Sequence, residues 1–592
     1  MVRNLVQPNG WVVLRLPNEN LRLLQITPNT TISLGKYGSF PSNLLIERPF
    51  HLTYEVEEKR RHESFSRLRI VPPTELNADT LAETNVNEQP APGGEEAAIV
   101  AAEGEELTLV DEAGKVVARS NREIIDDTAR QTLTAHEIEE LKRKGASAGK
   151  ELIAKLMLSH TAIDQKTLYS LAKYKLLKEK KFLRRFTVLP LDVTLLNKWL
   201  LEDRDAGKVL EMRPEMMGLL GCWADVHFGG EPVQGMNEPH GGRWLVVDDT
   251  GGLLVAALAE RMGILHQEEH DDEQQQQQQQ QQRQQRQQGA ALRPLRGGLP
   301  APAPKSEEPD ATGPDSERQT TPPQGPQPSS SGRRRRRDDL DEHYALTNNM
   351  TLIHANSQPN LSVLRYFGFD ANDLNPGYPY HPLFTNLLPI SWLQLVSPQD
   401  DVFYSEQLCD VPAEELASWK PNRRGNYHRK RRRWARTHEI VDATRAGGFS
   451  GLAVASTMDP ISVLRHTLPL LAGGSPIAIY SPTVEPLAHL VDCFSIGRRA
   501  AWVQSPPAEA QGKSQAELDR WQGSREFPLN PTLVLGAAVQ TSRARRWQVL
   551  PGRTHPFMTG RGGADGFLFT GWRTNPAEGR VSARGKFQKR KQ

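Results

Sequence analysis

The spacing of apolar positions changes three times along the chain. From Trp11 to about residue 120 they fall in short runs: "WVVLRL", "LRLLQI", "TTISLG", "LLIERPFHLTYEVE" and "FSRLRIV". These runs are rich in branched and aromatic residues and are separated by Pro, Asn and Gly. They predict strands, and several at this spacing predict a small barrel-like or sandwich domain. "EELTLVDEAGKVVARS" predicts a hairpin around Glu112, Ala113 and Gly114. From 133 to 220 the period becomes helical. Thr134 and Glu137 have capping-box spacing and Gly145 closes that segment. "GKELIAKLMLSH", "DQKTLYSLAKYKLLKEKKFLRRF", "TLLNKWLLED" and "PEMMGLLGCWADV" follow as predicted helices. From Arg243 strand and helix patterns alternate. "RWLVVDD", "NMTLIHA", "GLAVAST", "PIAIYS" and "TLVLGA" read as buried strands, with "LLVAALAERMG", "PISVLRHTLPLLAGG" and "TVEPLAHLVDCF" as helices between some of them. That rhythm predicts a doubly wound parallel sheet. "RWQVLP" and "GFLFTGW" are expected to pair antiparallel at its edge.

Two stretches lack the apolar density to order themselves. One is the acidic, Pro/Gly/Ala-rich loop 72–106. The other is an insertion at 266–344 that holds a Gln tract, a Pro/Ser-rich stretch and "GRRRRRDD". The expected organisation is therefore a β-rich N-terminal domain (1–132), a helical connector (133–220), a Rossmann-like domain (221–577) carrying the insertion, and a basic tail (578–592). The net charge of +2 conceals strong segregation, with acids crowded at Glu95–Glu106 and Glu268–Glu273 and Lys/Arg crowded elsewhere. Local basic clusters suggest polyanion contacts. Cys222, Cys409 and Cys493 are far apart and lack metal-site spacing, so no metal site is expected and a reducing compartment is. His489 and Cys493, four apart, read as packing. No apolar run is long enough to span a bilayer, and Gln7 to Gly10 interrupt any secretory h-region.

"RWLVVDDTGGLLVAALAERMG" looks like the strand, glycine turn and helix that open a nucleotide-binding α/β domain. A cofactor turn of this kind needs an acid followed by glycines at alternate positions, because a missing Cβ lets backbone approach the ligand. After Asp248 those positions hold Thr250, Gly252 and Leu254, and Leu254 is expected to push a branched side chain toward the cofactor volume. The second strand should end in an acid that holds ribose hydroxyls; it offers His354, Ala355 and Asn356. Asp459-Pro460 survives at the fourth strand, where an acid is equally a helix cap followed by Pro in the first turn. The fold is expected to persist without its ligand.

In order, "NREIIDD", "KYKLLKEKKFLRRF", "VVDDTGGLLVAALAERMG" and "RRWQVLPGRTHPFM" resemble the non-catalytic subunit of the eukaryotic tRNA 1-methyladenosine methyltransferase, from near the N-terminus to about Trp572. The resemblance implies a degenerate Rossmann-like class I methyltransferase fold with no catalytic, cofactor-binding or metal residues of its own. It implies a catalytic partner subunit that binds S-adenosylmethionine, assembly as a dimer of heterodimers (a heterotetramer), tRNA binding, methylation of the T-loop adenosine, and a nuclear location. Two other readings stay open on the residues alone: an active S-adenosylmethionine-dependent RNA methyltransferase with an unusual turn, and an RNA-binding scaffold with no methyltransferase partner.

Three basic segments compete for RNA. The first, Lys173 to Arg185, interleaves Lys173, Lys175, Lys180, Lys181 and Arg184 with Tyr174 and Phe182; its alternative is a solvated helix face. The second, Asn422 to Arg436, has eight Lys/Arg, Arg429 and Arg432 among them, no acids, and Tyr427 and Trp434 as stacking candidates; its alternative is a nuclear localisation signal. The third, the tail, and Arg333–Arg337 both read as localisation signals. Basic runs supply phosphate affinity and aromatic faces supply base stacking. The resemblance adds Ser120, Asn121 and Arg122, then Ser456, Thr457 and Asp459, then Ser481, and finally Arg543, Arg545 and Arg546 as tRNA contacts.

Overall fold

A computed structural model describes residues 4–57, 65–76, 98–100, 108–110, 132–134, 136–139, 148–160, 168–228, 242–266, 348–372, 381–406, 411–550, 553–557 and 563–575. Ser120, Asn121 and Arg122, the turn at Glu112–Gly114, nearly all of the 266–344 insertion, most of the acidic loop and the basic tail lie outside them.

The N-terminal strands are β1 (Trp11–Arg15), β2 (Leu21–Gln25), β3 (Thr31–Ser33), β4 (Ser39–Pro41), β5 (Thr53–Val56) and β6 (Leu68–Ile70), then β7 (Ala98–Val100) and β8 (Thr108–Val110). β3 pairs with β4, and β7 with β8. Thr134 and Glu137 form the expected reciprocal cap: the Glu137 N–H donates to Thr134 Oγ1 at 3.3 Å and the Thr134 N–H donates to Glu137 Oε2 at 2.8 Å. Helices α1 (Ala148–Leu158) and α2 (Leu168–Phe182) follow, but the helix expected to continue through "RRF" stops at Phe182. Arg185–Pro190 is instead a strand, β9, lying between β1 and β5 in an antiparallel sheet of order β2-β1-β9-β5-β6. The reason is tertiary. Phe186 stacks on Phe40 at 5.0 Å and on Tyr54 at 5.6 Å, and burial of three aromatic rings outweighs a local helical pattern. β1 reads as an unbroken apolar run because both its faces are covered. Val12 and Leu14 pack with Phe40 and Phe186, while Val13 joins the cluster around Leu196, Met216 and Trp244.

Next come α3 (Val193–Asp203), α4 (Pro214–Trp223), β10 (Arg243–Asp248), α5 (Leu253–Met262), β11 (Asn349–His354), β12 (Leu387–Ser391), α6 (Pro421–Arg445), β13 (Gly451–Ala455), α7 (Pro460–Thr467), β14 (Pro476–Ser481), α8 (Glu485–Cys493) and β15 (Val534–Gln540). β16 (Trp547–Leu550), β17 (Arg553–Pro556) and β18 (Phe567–Arg573) end the described chain. Seven of these strands form one sheet, β12-β11-β10-β13-β14-β18-β15, with β18 antiparallel to both its neighbours. Numbered within the sheet the order is 3-2-1-4-5-7-6, a Rossmann-like arrangement that reverses direction beside β10. Alternate residues feed two layers. Trp244 and Val246 pack under α3, α4 and α5, whereas Leu245 and Val247 pack with α7, α8 and the end of α6.

The expected edge pair is corrected. "GFLFTGW" is β18, inside the sheet, where Leu568, Phe569 and Thr570 are buried. "TLVLGA" supplies the outer strand β15, and "RWQVLP" pairs with β17 as a separate hairpin that leaves Trp547 and Val549 exposed. β12, "LLPIS", was not expected: only five residues long with a proline in its centre, it sits at the other sheet edge, where a missing donor is tolerated.

Candidate functional site

The connection from β10 to α5 is only Asp249 to Gly252. Gly251 and Gly252 have φ of +72° and +93°, in the left-handed region that favours glycine. A Cβ on Gly252 would lie 3.2 Å from Leu361 Cα, so the loop after β11 rests directly on the turn. The Val363 N–H, donating to the Gly251 carbonyl at 3.1 Å, holds it there.

The turn is closed by its own side chains. Asp248 Oδ1 accepts from the Thr250 N–H at 2.6 Å and from the Thr250 hydroxyl, and Oδ2 accepts from the Val255 N–H at 3.1 Å. Thr250 Oγ1 in turn accepts from the Leu254 N–H at 3.0 Å. Amides at a helix N-terminus are natural anion partners, but here Thr250 takes that of Leu254 and Asp248 that of Val255. Burial pushes the Asp248 carboxyl up to about 6, against the pull of the hydrogen bonds from Thr250 and Val255. Leu254 does not intrude on a ligand volume as expected; it is fully buried in the apolar cluster that includes Leu361 and Val363. At the end of β11, His354 Nδ1–H donates to the Asn356 carbonyl at 2.7 Å, and burial lowers its pKa. Ala355 and Asn356 add no carboxylate for ribose. These residues do not fit S-adenosylmethionine, since the Thr250, Leu254 and Val255 amides are taken within the turn, Thr250 and Leu254 stand where such a turn has glycine, and no acid follows β11.

Asp249 ties this turn to the loop after β13. Its Oδ2 accepts from the Ser456 hydroxyl, from the Thr457 N–H at 3.1 Å and from the Thr457 hydroxyl at 3.4 Å. Asp459 is the N-cap of α7, accepting from the Ser462 N–H at 3.1 Å, with Pro460 in the first turn. Ser481, at the end of β14, is buried and accepts from the Thr483 N–H at 3.3 Å. All of these stand at the carboxyl ends of the parallel strands, where open α/β sheets bind ligands.

Arg543, Arg545 and Arg546 follow β15 at the same edge. Arg545 pairs with Asp565, and Arg543 Nε lies 3.8 Å from the same carboxylate. Arg546 acts instead on the charges around Glu19. Glu19 is held below the usual carboxylate range first by a hydrogen bond from Lys180, at 2.8 Å, and then in part by the charge of Arg546. Lys180 of α2, bonded to Glu19, and Arg546, far apart in sequence, both act on that carboxylate, and α2 packs on β16. Lys198, whose pKa falls through burial, shares the field of Arg546 and Arg15. An open cleft of about 330 Å³ lined by Arg15, Glu19, Thr53, Arg185 and Thr187 adjoins it. On α2, Lys173 and Lys181 are exposed, Lys175 and Arg184 half-buried, and Lys178 lies 4.7 Å over the Tyr174 ring.

The second basic segment is the N-terminal half of α6, which packs beside β12 at the opposite end of the sheet. Its last turns are anchored by Ile440, Val441 and Thr444, while Arg429 and Arg432 are exposed. Its aromatics pack within the chain. The Tyr427 hydroxyl accepts from the Val411 N–H at 3.2 Å, and the Trp434 ring lies 4.2 Å from His438. Cys493 is buried in the core, and among the described residues no group of His, Cys, Asp or Glu could hold a metal. No described helix is long and apolar enough to cross a membrane. Arg213 and Asp565, which gather around the arginine loop, carry no sequence signal, because they lie hundreds of residues apart.

Sheet order and site together define a Rossmann-like domain of the methyltransferase type whose glycine turn is filled by its own side chains. The chain belongs to the Gcd10p family, whose model matches residues 5–420. A relative from Aspergillus fumigatus, named tRNA (adenine(58)-N(1))-methyltransferase non-catalytic subunit trm6, is 43% identical over 99% of this chain and 95% of its own. Proteins with the same name from Aspergillus oryzae and Schizosaccharomyces pombe are 41% and 24% identical over the same shares. Among solved structures, a tRNA (m1A58) methyltransferase from Aquifex aeolicus is 9% identical with a TM-score of 0.34, over 97% of this chain and 100% of that one.

Proposed function

We propose that this chain is the non-catalytic, tRNA-binding subunit of a heteromeric tRNA 1-methyladenosine methyltransferase. It holds the T-loop region of tRNA for a partner subunit that binds S-adenosylmethionine and transfers the methyl group. The observation that carries this is the Asp248–Thr250 closure of the glycine turn, which takes up the Thr250, Leu254 and Val255 amides within the chain. The family and its named relatives point the same way. The RNA role draws on two basic surfaces, one of α2 with the Arg546 loop and one of α6. Assembly as a dimer of heterodimers, a nuclear location and an N-terminal barrel-like domain belong to the same reading; five antiparallel strands and a two-stranded pair sharing one apolar core support the last.

The test is reconstitution with the catalytic partner. Replacing Arg543, Arg545 and Arg546 together by Ala should weaken tRNA binding and slow methyl transfer, while assembly and the partner's cofactor affinity stay unchanged. Wild-type tRNA affinity and methylation in that variant would contradict the RNA role of this loop. Loss of assembly would make the loop a subunit interface instead.

A further inference from the structure

Three guanidinium groups from two distant segments converge on one carboxylate. Asp565 pairs with Arg545, lies 3.8 Å from Arg543 Nε and 3.5 Å from Arg213 NH1. Arg213, with its side chain 16% exposed, is held in place by Glu215 at 2.8 Å and by its own donation to the Ala544 carbonyl at 2.8 Å. Arg213 therefore fixes the backbone of the arginine loop as well as adding charge. The Asp565 segment is tied down on both sides. Thr541 Oγ1 donates to the Gly566 carbonyl at 2.7 Å, and Gly563, at φ +81°, packs against the Glu211 carbonyl. The group sits at the carboxyl edge of the sheet, where β15 ends and β18 begins.

Arginine's planar fork donates a pair of N–H groups to two oxygens of a carboxylate or of a phosphate alike. We infer that Arg213, Arg543 and Arg545 form a site for one RNA phosphodiester, which the Asp565 carboxylate fills while no RNA is bound. The inference rests on the tRNA-binding reading above. With Asp565 in place, three arginines face two acids, so the cluster keeps a surplus positive charge. Asp565 is partly exposed, and a rotation of its side chain toward solvent opens the forks to phosphate.

The experiment is a tRNA titration of the full chain with its catalytic partner over a range of salt. Asp565→Asn keeps the shape and removes the competing charge. It should bind tRNA roughly five- to tenfold more tightly at low salt, because no carboxylate has to be displaced before the phosphate docks. Adding Arg213→Ala should cancel that gain and lower the log-log salt slope by about 0.7–0.9, the increment of one phosphate lost. Arg543→Ala, on a side chain 76% exposed, should cancel it without touching the core and stands in if Arg213→Ala unfolds. Millimolar inorganic phosphate at constant ionic strength should leave the gain intact, and its loss would replace the RNA backbone with a free anion. Asp565→Asn binding no more tightly than wild type, or a gain that survives both arginine variants, overturns the site. Wild-type chain that shows no salt-dependent tRNA binding overturns the tRNA-binding reading itself.

Discussion

Thr250 stands where a cofactor-binding turn has glycine, and it is an organising residue of its own. Its backbone and hydroxyl both donate to Asp248, and its oxygen receives the Leu254 amide. Thr250→Gly restores the motif residue but removes two buried hydrogen bonds. It should lower unfolding free energy by about 1–3 kcal/mol in urea titration, without creating cofactor affinity. An unchanged midpoint would mean that the turn is held by Gly251, Gly252 and Leu361 alone. Asp248 makes a separate pH prediction. Its native pKa, about 6, lies above the ordinary value of 3.8, so the folded chain binds more protons between those values. Its contribution is fully present below about pH 4 and lost as pH rises toward 6. Relative to Asp248→Asn, wild type should thus lose stability across that window and run parallel above it. Two stability curves that stay parallel from pH 4 to 7 would remove Asp248 as the titrating group.

At the scale of elements, β9 and α2 meet. Phe186→Ala deletes the ring between Phe40 and Tyr54 and should cost about 3–5 kcal/mol, with loss of the N-terminal sheet's near-UV signal; a loss below 1 kcal/mol would show that β9 is dispensable. Charge reversal at Lys175 and Lys181 should weaken tRNA binding and lower the salt slope by roughly 0.7–0.9 for each phosphate no longer neutralised. Lys180 is left alone because it already bonds Glu19. Unchanged affinity with intact helicity would make α2 a solvated face. The strands of the large sheet were legible because β10, β11, β13 and β14, buried on both faces, are continuous apolar runs bounded by turns. β9 was hidden because its reason for being a strand lies on Phe40 and Tyr54, more than a hundred residues away. β18 was misplaced because a sequence does not say which of two apolar strands goes inside. The closed turn was half legible: Thr250 marks the missing glycine, but nothing in the sequence shows that its hydroxyl seals the helix end. The Arg213–Asp565 pairing had no local trace.

The whole molecule joins two units through shared apolar surface, since Val13, Leu21 and Leu189 of the N-terminal sheet pack into the cluster of α3, α4 and α5. The two edge strands of the sheet, β12 beside α6 and β15 leading into the Arg546 loop, stand about 29 Å apart at strand spacing. Between them stands the closed turn. In the function proposed, the chain holds a long polyanion and leaves the chemistry to its partner. The central claim is that the cofactor belongs to the partner, and calorimetric titration of S-adenosylmethionine into the purified chain alone, and then into the reconstituted complex, tests it most directly. The chain alone should give no saturable heat and the complex should, with a stoichiometry of one cofactor per catalytic subunit. Micromolar binding to the isolated chain, abolished by Asp248→Ala, would contradict the account and make this turn a working cofactor site.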